Sequence, residues 1–245
     1  MKRTLPPAVS IRQFAPPDVP QTSALHLNAL PDDFVTRFGQ RFLARYHLAF
    51  AESPYATVIV ASDYATGKTV GALLGTLDTP AHYGWLVRHH GASLVLWAAV
   101  RAIRNPKLGW DLVRTRAARY IRGIARSFIP EKHSGKGEKS RDNGVGLLAH
   151  VMVAGDQRGC GIGSSLVEAY ENRARHAGLE RLELATLPDS RGAGPFYEKI
   201  GWEYGGARIS QSGERFALYH RALLDEPRQE HSDIRPWSKR GESGC

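Results

Sequence analysis

Residues 157–163 read Gln157-Arg158-Gly159-Cys160-Gly161-Ile162-Gly163, between an apolar run, Val145–Val153, and an amphipathic stretch that begins near Ser164. A glycine-rich turn joining a buried strand to a helix is a device for holding pyrophosphate. Glycine lets the backbone come close to a ligand, the unpaired N–H groups of the first helical turn point at phosphate oxygens, and the helix dipole adds partial positive charge. Two common phosphate loops fit badly. The dinucleotide fingerprint, counted from Gly159 and Gly161, needs a third glycine where Ser164 stands, and the P-loop of nucleotide hydrolases needs a Gly-Lys-Ser/Thr run that is absent here.

Working outward, residues 164–177 read as a helix closed by Gly178, and residues 179–186, Leu-Glu-Arg-Leu-Glu-Leu-Ala-Thr, as a strand. Next comes Ala193-Gly194-Pro195-Phe196-Tyr197-Glu198-Lys199-Ile200-Gly201-Trp202. The first segment resembles the pyrophosphate loop of the GNAT acyl-CoA transferase superfamily, Gln/Arg-x-x-Gly-x-Gly/Ala. The second resembles that family's Ala-x-x-Phe-Tyr-x-x-x-Gly-Phe motif, with Trp202 in the last aromatic place. Two motifs in the family's order, each on its expected element, carry the resemblance.

Upstream, residues 9–14 read as a first strand and residues 18–30 as a helix capped by Asp18. Asp32 or Asp33 is placed to cap a next helix in which Phe34, Val35, Phe38, Phe42, Leu43 and Tyr46 recur at helical spacing as a core stripe. Residues 56–62 and 69–76 form a hairpin pattern turning at Gly67. This order is also that of the family, so the resemblance covers residues 10–78 and 143–223. It implies an α/β (α+β) GNAT fold, a central mixed twisted sheet flanked by helices, with an extra helical hairpin inserted. Residues 1–224 are expected to be one domain with a basic insertion at about 81–142. The tail, residues 225–245, is polar and without apolar periodicity, and is expected to be disordered.

The formal net charge is +9. Between Ala81 and Arg141 stand thirteen Lys or Arg against three acids, a balance of +10, so the rest of the chain is near neutral. Within this insertion residues 92–103 read as an apolar helix ended by Asn105-Pro106, residues 110–128 as a basic amphipathic helix, and residues 134–143 as a Gly/Lys/Ser-rich linker. Such a helix either packs its apolar side on the domain with solvated arginines, or meets an acidic or carrier-bound partner or an anionic membrane. Lid, dimer contact and membrane foot all stay open, as does a homodimer. No run reaches the roughly 20 apolar residues of a membrane span, and nothing behind the N-terminal charges looks like a signal core. A cytoplasmic location is expected. Two cysteines, Cys160 and Cys245, supply neither a disulfide framework nor a zinc set, and no metal is expected.

The resemblance implies an acetyl-CoA-dependent N-acetyltransferase acting on a small-molecule amine or biosynthetic intermediate, with longer acyl chains or protein amines as the alternative. A non-catalytic module that binds nucleic acid or membrane through the insertion is the alternative of another class. Backbone groups of Val151, Met152 and Val153 would pair with the pantetheine arm. The N–H groups of Arg158, Gly159, Cys160, Gly161, Ile162, Gly163 and Ser164 would meet the pyrophosphate. Tyr197 would be the general acid for the leaving thiolate, or would merely pack against the cofactor. Where the family commonly has Asn seven residues before that tyrosine, this chain has Ser190, and the contact is in doubt. Cys160 sits at a helix start that favours thiolate, yet direct transfer in the family leaves it no covalent role. His150 is the candidate base and is also readable as structural, placed by strand alternation on the face of Leu148 and Met152. His89 and His90 are weaker candidates.

Overall fold

The computed structural model describes residues 9–105, 144–188, 192–209, 213 and 215–223. The expected amphipathic helix 110–128, the linker, the tail and Ser190 lie outside the described residues. Seven strands form one sheet: β1 Val9–Gln13, β2 Ala56–Asp63, β3 Thr69–Thr76, β4 Val145–Val153, β5 Arg181–Thr186, β6 Glu203–Ile209 and β7 Arg215–Ala222, in the order β1-β2-β3-β4-β5-β7-β6. Every neighbouring pair is antiparallel except β4 and β5. A parallel pair needs a crossover, and α4 (Ile162–His176) supplies it.

The sheet is covered on both faces. On one, α4 packs Ile162, Leu166, Val167, Tyr170 and Ala174 against Ile59, Leu73 and Leu148. On the other, α1 (Val19–Ala29), α2 (Gln40–Glu52) and α3 (Thr79–Arg104) bring Leu25, Phe42, Tyr46, Phe50 and Leu94 against Val58, Val60, Leu74 and Met152. Double cover explains why β2 and β3 read as nearly continuous apolar runs instead of alternating ones. Close approach of α4 depends on glycine in β3: a Cβ on Gly75 would lie 2.4 Å from Cε2 of Tyr170, whose hydroxyl donates to the Thr76 carbonyl at 2.7 Å. Gly75→Ala is expected to destabilise the protein by about 1–3 kcal/mol, the usual cost of overpacking; denaturant titration of the variant checks this.

Four local expectations are corrected. Asp18 does precede α1, but its carboxylate turns back to Arg12 (2.7 Å to each guanidinium nitrogen) and to the Ala15 N–H at 2.8 Å, so it caps no helix α1 donor. The single helix expected over residues 34–46 is divided: a 3-10 turn, Val35–Phe38, ends at Gly39, whose φ of 82° is left-handed, and α2 starts anew with Phe42 and Leu43 donating to the Gly39 carbonyl. The apolar helix of the insertion begins at Thr79, well before residue 92, because Asp78 caps it by accepting from the Ala81 N–H at 2.9 Å. Finally, Leu148 and His150 do not share a face. Ala149 is an extra residue in β4, bulged between the pairs Leu74↔His150 and Gly75↔Leu148, so Leu148 enters the α4 side while Met152 enters the α1/α2 side.

Candidate active site

β4 pairs with β5 only at Val145, Gly146 and Leu147, whereas it stays paired with β3 as far as Val153 and β5 stays with β7 as far as Thr186. The two middle strands therefore part beyond Leu147. The six residues of β4 that follow leave an open edge about 20 Å long at strand rise. The Ala154 N–H donates to Val70 at 2.9 Å, and alternation along the antiparallel ladder turns the peptide groups of Met152 to β3 as well. Those of Val151 and Val153 thus face the open edge and have no partner there among the described residues. Of the three residues expected to pair with a donor, Val151 and Val153 turn their peptide groups to this edge, while Met152 turns its own to β3 opposite Ala72 and its side chain is buried.

The edge runs directly into the glycine loop. After a 3-10 turn, Gly155–Gln157, the chain passes exposed Arg158, Gly159 and Cys160 and enters α4 at Gly161. Gly159 and Gly161 have φ of 81° and 87°, and a Cβ on either would meet nothing within 4 Å, so conformation and not crowding requires glycine. Gly161 is the N-cap and no side chain caps the helix, which leaves first-turn N–H groups at Ile162, Gly163 and Ser164 for a ligand. The Ile162 side chain, 1% exposed, anchors this turn in the core.

The second motif leans on the first. It forms a short helix, α5 (Gly194–Lys199), and a Cβ on Gly163 would lie 3.3 Å from Cζ of Phe196 and 3.7 Å from Cγ2 of Val153. Phe196 thus sits where the open edge meets the loop. Tyr197 is buried beside Trp202 and Tyr219, with ring centroids 5.6 and 6.2 Å away. Burial pushes its phenol well above the ordinary tyrosine range, so it carries its proton throughout the neutral region. Trp202 earns its place by a bond phenylalanine lacks: its indole N–H donates to Glu171 of α4 at 3.0 Å.

On the opposite face of β4 the candidate base His150 meets a group of residues that sequence reading assigned to caps and core, or passed over. His150 Nδ1 is 3.2 Å from Asp33 Oδ2, and His150 Nε2 is 3.2 Å from the Tyr46 hydroxyl. The same Asp33 oxygen is 3.2 Å from His26 Nε2, and His26 Nδ1 is 2.8 Å from His47 Nε2. Burial disfavours ionised Asp33, but hydrogen bonds from His150 and His26 outweigh it and hold the carboxyl well below the usual range. His26 and His47, both fully buried, are depressed by desolvation and are neutral near pH 7. His26, Asp33 and His150 also have the donor types of a metal site, with ligand atoms within 4.8 Å of one another. His89 and His90 are elsewhere: His89 bonds the Trp85 carbonyl and His90 pairs with Glu52 at 3.0 Å. Cys160 is exposed and free.

The sequence model of the acetyltransferase (GNAT) family matches residues 101–202, which include β4, the glycine loop, α4, β5 and α5. No curated protein matches the chain. Among solved structures, the fold is similar to that of Ard1 from Thermoplasma volcanium (16% identity, covering 89% of this chain and 99% of that one, TM-score 0.52). It is also similar to an aminoglycoside 6'-N-acetyltransferase complexed with coenzyme A (14% identity, 89% and 99% covered, TM-score 0.54). An N-acetyltransferase from Staphylococcus aureus Mu50 gives 11% identity, 88% and 99% covered, and a TM-score of 0.53. At these identities the structures speak for the fold. Among the described residues no helix is long and apolar enough to cross a membrane. The parted strands β4 and β5, the uncapped glycine loop and the family match thus fall on one segment, and over residues 101–202 the chain is similar to the acetyltransferase (GNAT) family.

Proposed function

We propose that this protein transfers an acetyl group from acetyl-CoA directly to the amine of a small molecule or biosynthetic intermediate, within a ternary complex. The observation that carries this reading is the continuity of the open β4 edge with the uncapped start of α4. An extended donor that pairs with Val151 and Val153 would reach the N–H groups of Gly161, Ile162, Gly163 and Ser164 with its pyrophosphate, and Arg158 at the rim adds charge. That one similar structure is complexed with coenzyme A supports the choice of donor.

The chemistry divides between the two faces of the sheet. A peptide N–H on the open edge polarises the thioester carbonyl, for which Val151 and Val153 are the candidates. His150, on the α1/α2 face, takes a proton from the acceptor. Tyr197, kept protonated by burial on the α4 face, gives one to the departing thiolate. The acceptor enters from the side of the connection between α1 and α2, which holds Asp33 against His150.

Release of free coenzyme A from acetyl-CoA, followed across a panel of primary amines, tests the reading. Tyr197→Phe is expected to lower turnover about 10²-fold, the ordinary scale of one acid-base group, with acetyl-CoA affinity little changed. Equal turnover by the variant removes Tyr197 from proton transfer. Acetyl-CoA binding without turnover of any amine, joined to salt-sensitive binding of DNA or anionic vesicles, would favour the non-catalytic reading.

A further inference from the structure

The chain Tyr46–His150–Asp33–His26–His47 joins three elements and the strand before the glycine loop, and the fold alone does not require it. Two buried histidines and a carboxylate are a poor core, since apolar side chains of similar size hold such a space at least as well. One buried atom, Nδ1 of His47, has no hydrogen-bond partner among the described residues. That orphan fixes the protons of the whole row.

If His47 carries its proton on Nε2, it donates to His26 Nδ1 and the orphan is only a lone pair. His26 then carries its proton on Nε2 and donates to Asp33, and Asp33, anionic, has room for a second donor, Nδ1–H of His150. His150 Nε2 is left as a lone pair that accepts from the Tyr46 hydroxyl. Each of these four contacts then has one donor and one acceptor. The opposite assignment turns the orphan into a buried N–H without an acceptor, the costlier defect. A metal held by His26 Nε2, Asp33 and His150 Nδ1 would force that assignment, because His26 would have to carry its proton on Nδ1 and give it to His47. The contacts therefore favour a proton-ordering row over a metal site.

Resting on the acyl-transfer reading, we propose that Asp33 is the positioning carboxylate of a His150 base, holding the imidazole in the Nδ1–H tautomer with Nε2 toward the acceptor, while His26, backed by His47, holds Asp33. The groups that face His150 are Asp33 from the connection after α1, His26 from α1 and Tyr46 from α2, with His47 of α2 behind His26. In the reaction an ammonium acceptor gives one proton to Nε2, in place of the Tyr46 hydrogen bond. The neutral nitrogen forms its bond to the acyl carbon as the C–S bond breaks and sheds its second proton to solvent. The thiolate takes a proton from Tyr197, which is restored from solvent, and His150 returns its own. The sum is ammonium plus thioester giving amide, free thiol and one proton. The Asp33 anion stabilises the imidazolium through the intermediate step, as a third group does for any oriented base.

The test is nitrogen-15 NMR of the histidine rings in the full-length protein, with the His150 signals assigned by their loss in His150→Gln. The expected result is a neutral His150 ring protonated at Nδ1 and bare at Nε2, and a mixture of the two tautomers in Asp33→Asn, whose amide holds the Nδ1–H less firmly. Coenzyme A release with alkyl primary amines should fall about 10²- to 10³-fold in that variant, at unchanged KM for acetyl-CoA. The loss should shrink with hydroxylamine, which is unprotonated at neutral pH and needs no base. An Nε2–H tautomer in the wild type, an undisturbed Nδ1–H tautomer in Asp33→Asn, or stoichiometric perturbation of the His26 and His150 signals by zinc chloride would each overturn the proposal. The wild-type tautomer decides even if Asp33→Asn fails to fold. If no amine is turned over, the acyl-transfer reading fails while the spectrum still judges the Asp33–His150 pair.

Discussion

Gly161→Asp is expected to weaken acetyl-CoA binding at least 100-fold while leaving the protein folded. The two effects separate because of where the residue stands. Gly161 is the N-cap of α4 and has φ 87°, and a Cβ there meets nothing within 4 Å, so a side chain costs only the left-handed backbone, about 1 kcal/mol. Aspartate is also a good N-cap, able to accept from the N–H two or three residues on, which offsets part of that cost. The same bond occupies a donor that the pyrophosphate would use and sets a carboxylate against its negative charge. A 100-fold loss is about 2.7 kcal/mol, well within the reach of one lost charge-assisted contact and one new like-charge contact. Gly161→Ala is the control: it has the backbone strain without the charge and should keep binding within about tenfold. Calorimetric titration with acetyl-CoA reads both. Equal affinities for wild type and Gly161→Asp would take the loop out of the binding site and leave the open β4 edge without its anchor.

What could be read from the chain beforehand follows from the range over which each signal acts. The run Val145–Val153, the loop at Gly159 and Gly161, and the motif from Ala193 to Trp202 are local patterns, and each appears in the fold as the element expected of it. The splitting of residues 34–46 was a weaker signal, because Phe38 and Phe42 keep helical spacing across Gly39 and the packing period alone hides the break. The bulge at Ala149 has no sequence mark at all. Leu148, Ala149 and His150 would suit an unbroken strand, and only the antiparallel register with β3 shows that one residue is extra. The Asp33 row was illegible for another reason. Its members are separated by up to 124 positions, Tyr46 fits the apolar stripe of α2, and Asp33 fits a helix cap, so each had a sufficient local explanation. A buried histidine on each of two adjacent helices, His26 and His47, was the available hint, since such residues need partners and here the nearest partner is the other.

The buried histidines also set how the protein meets acid. His82 of α3 is fully buried against Phe50, bonded through Nδ1 to Ser53 at 2.9 Å, and desolvation lowers its pKa to about 4. Below pH 6.5 the unfolded chain binds a proton at this position that the folded chain refuses, so the unfolded state holds more protons and stability falls as pH falls. The loss continues until the folded ring also titrates near pH 4 and amounts to about 3 kcal/mol from this residue. His26 and His47 are depressed too and pull in the same direction. Asp18 and Asp33, whose pKa values are lowered by their partners, add losses only below the ordinary carboxylate range, so their window begins where that of His82 ends. Against a total stability of about 5–15 kcal/mol, the expected result is a steep decline in unfolding free energy between pH 6.5 and 4. Urea titrations at half-unit steps measure it. His82→Gln removes one titration and should flatten the slope over that interval whatever it does to the height of the curve, because slope counts protons and height counts contacts. A slope unchanged in His82→Gln would mean that this ring is protonated in the folded state, and the packing of α3 on Phe50 and Ser53 would then have to open to admit water.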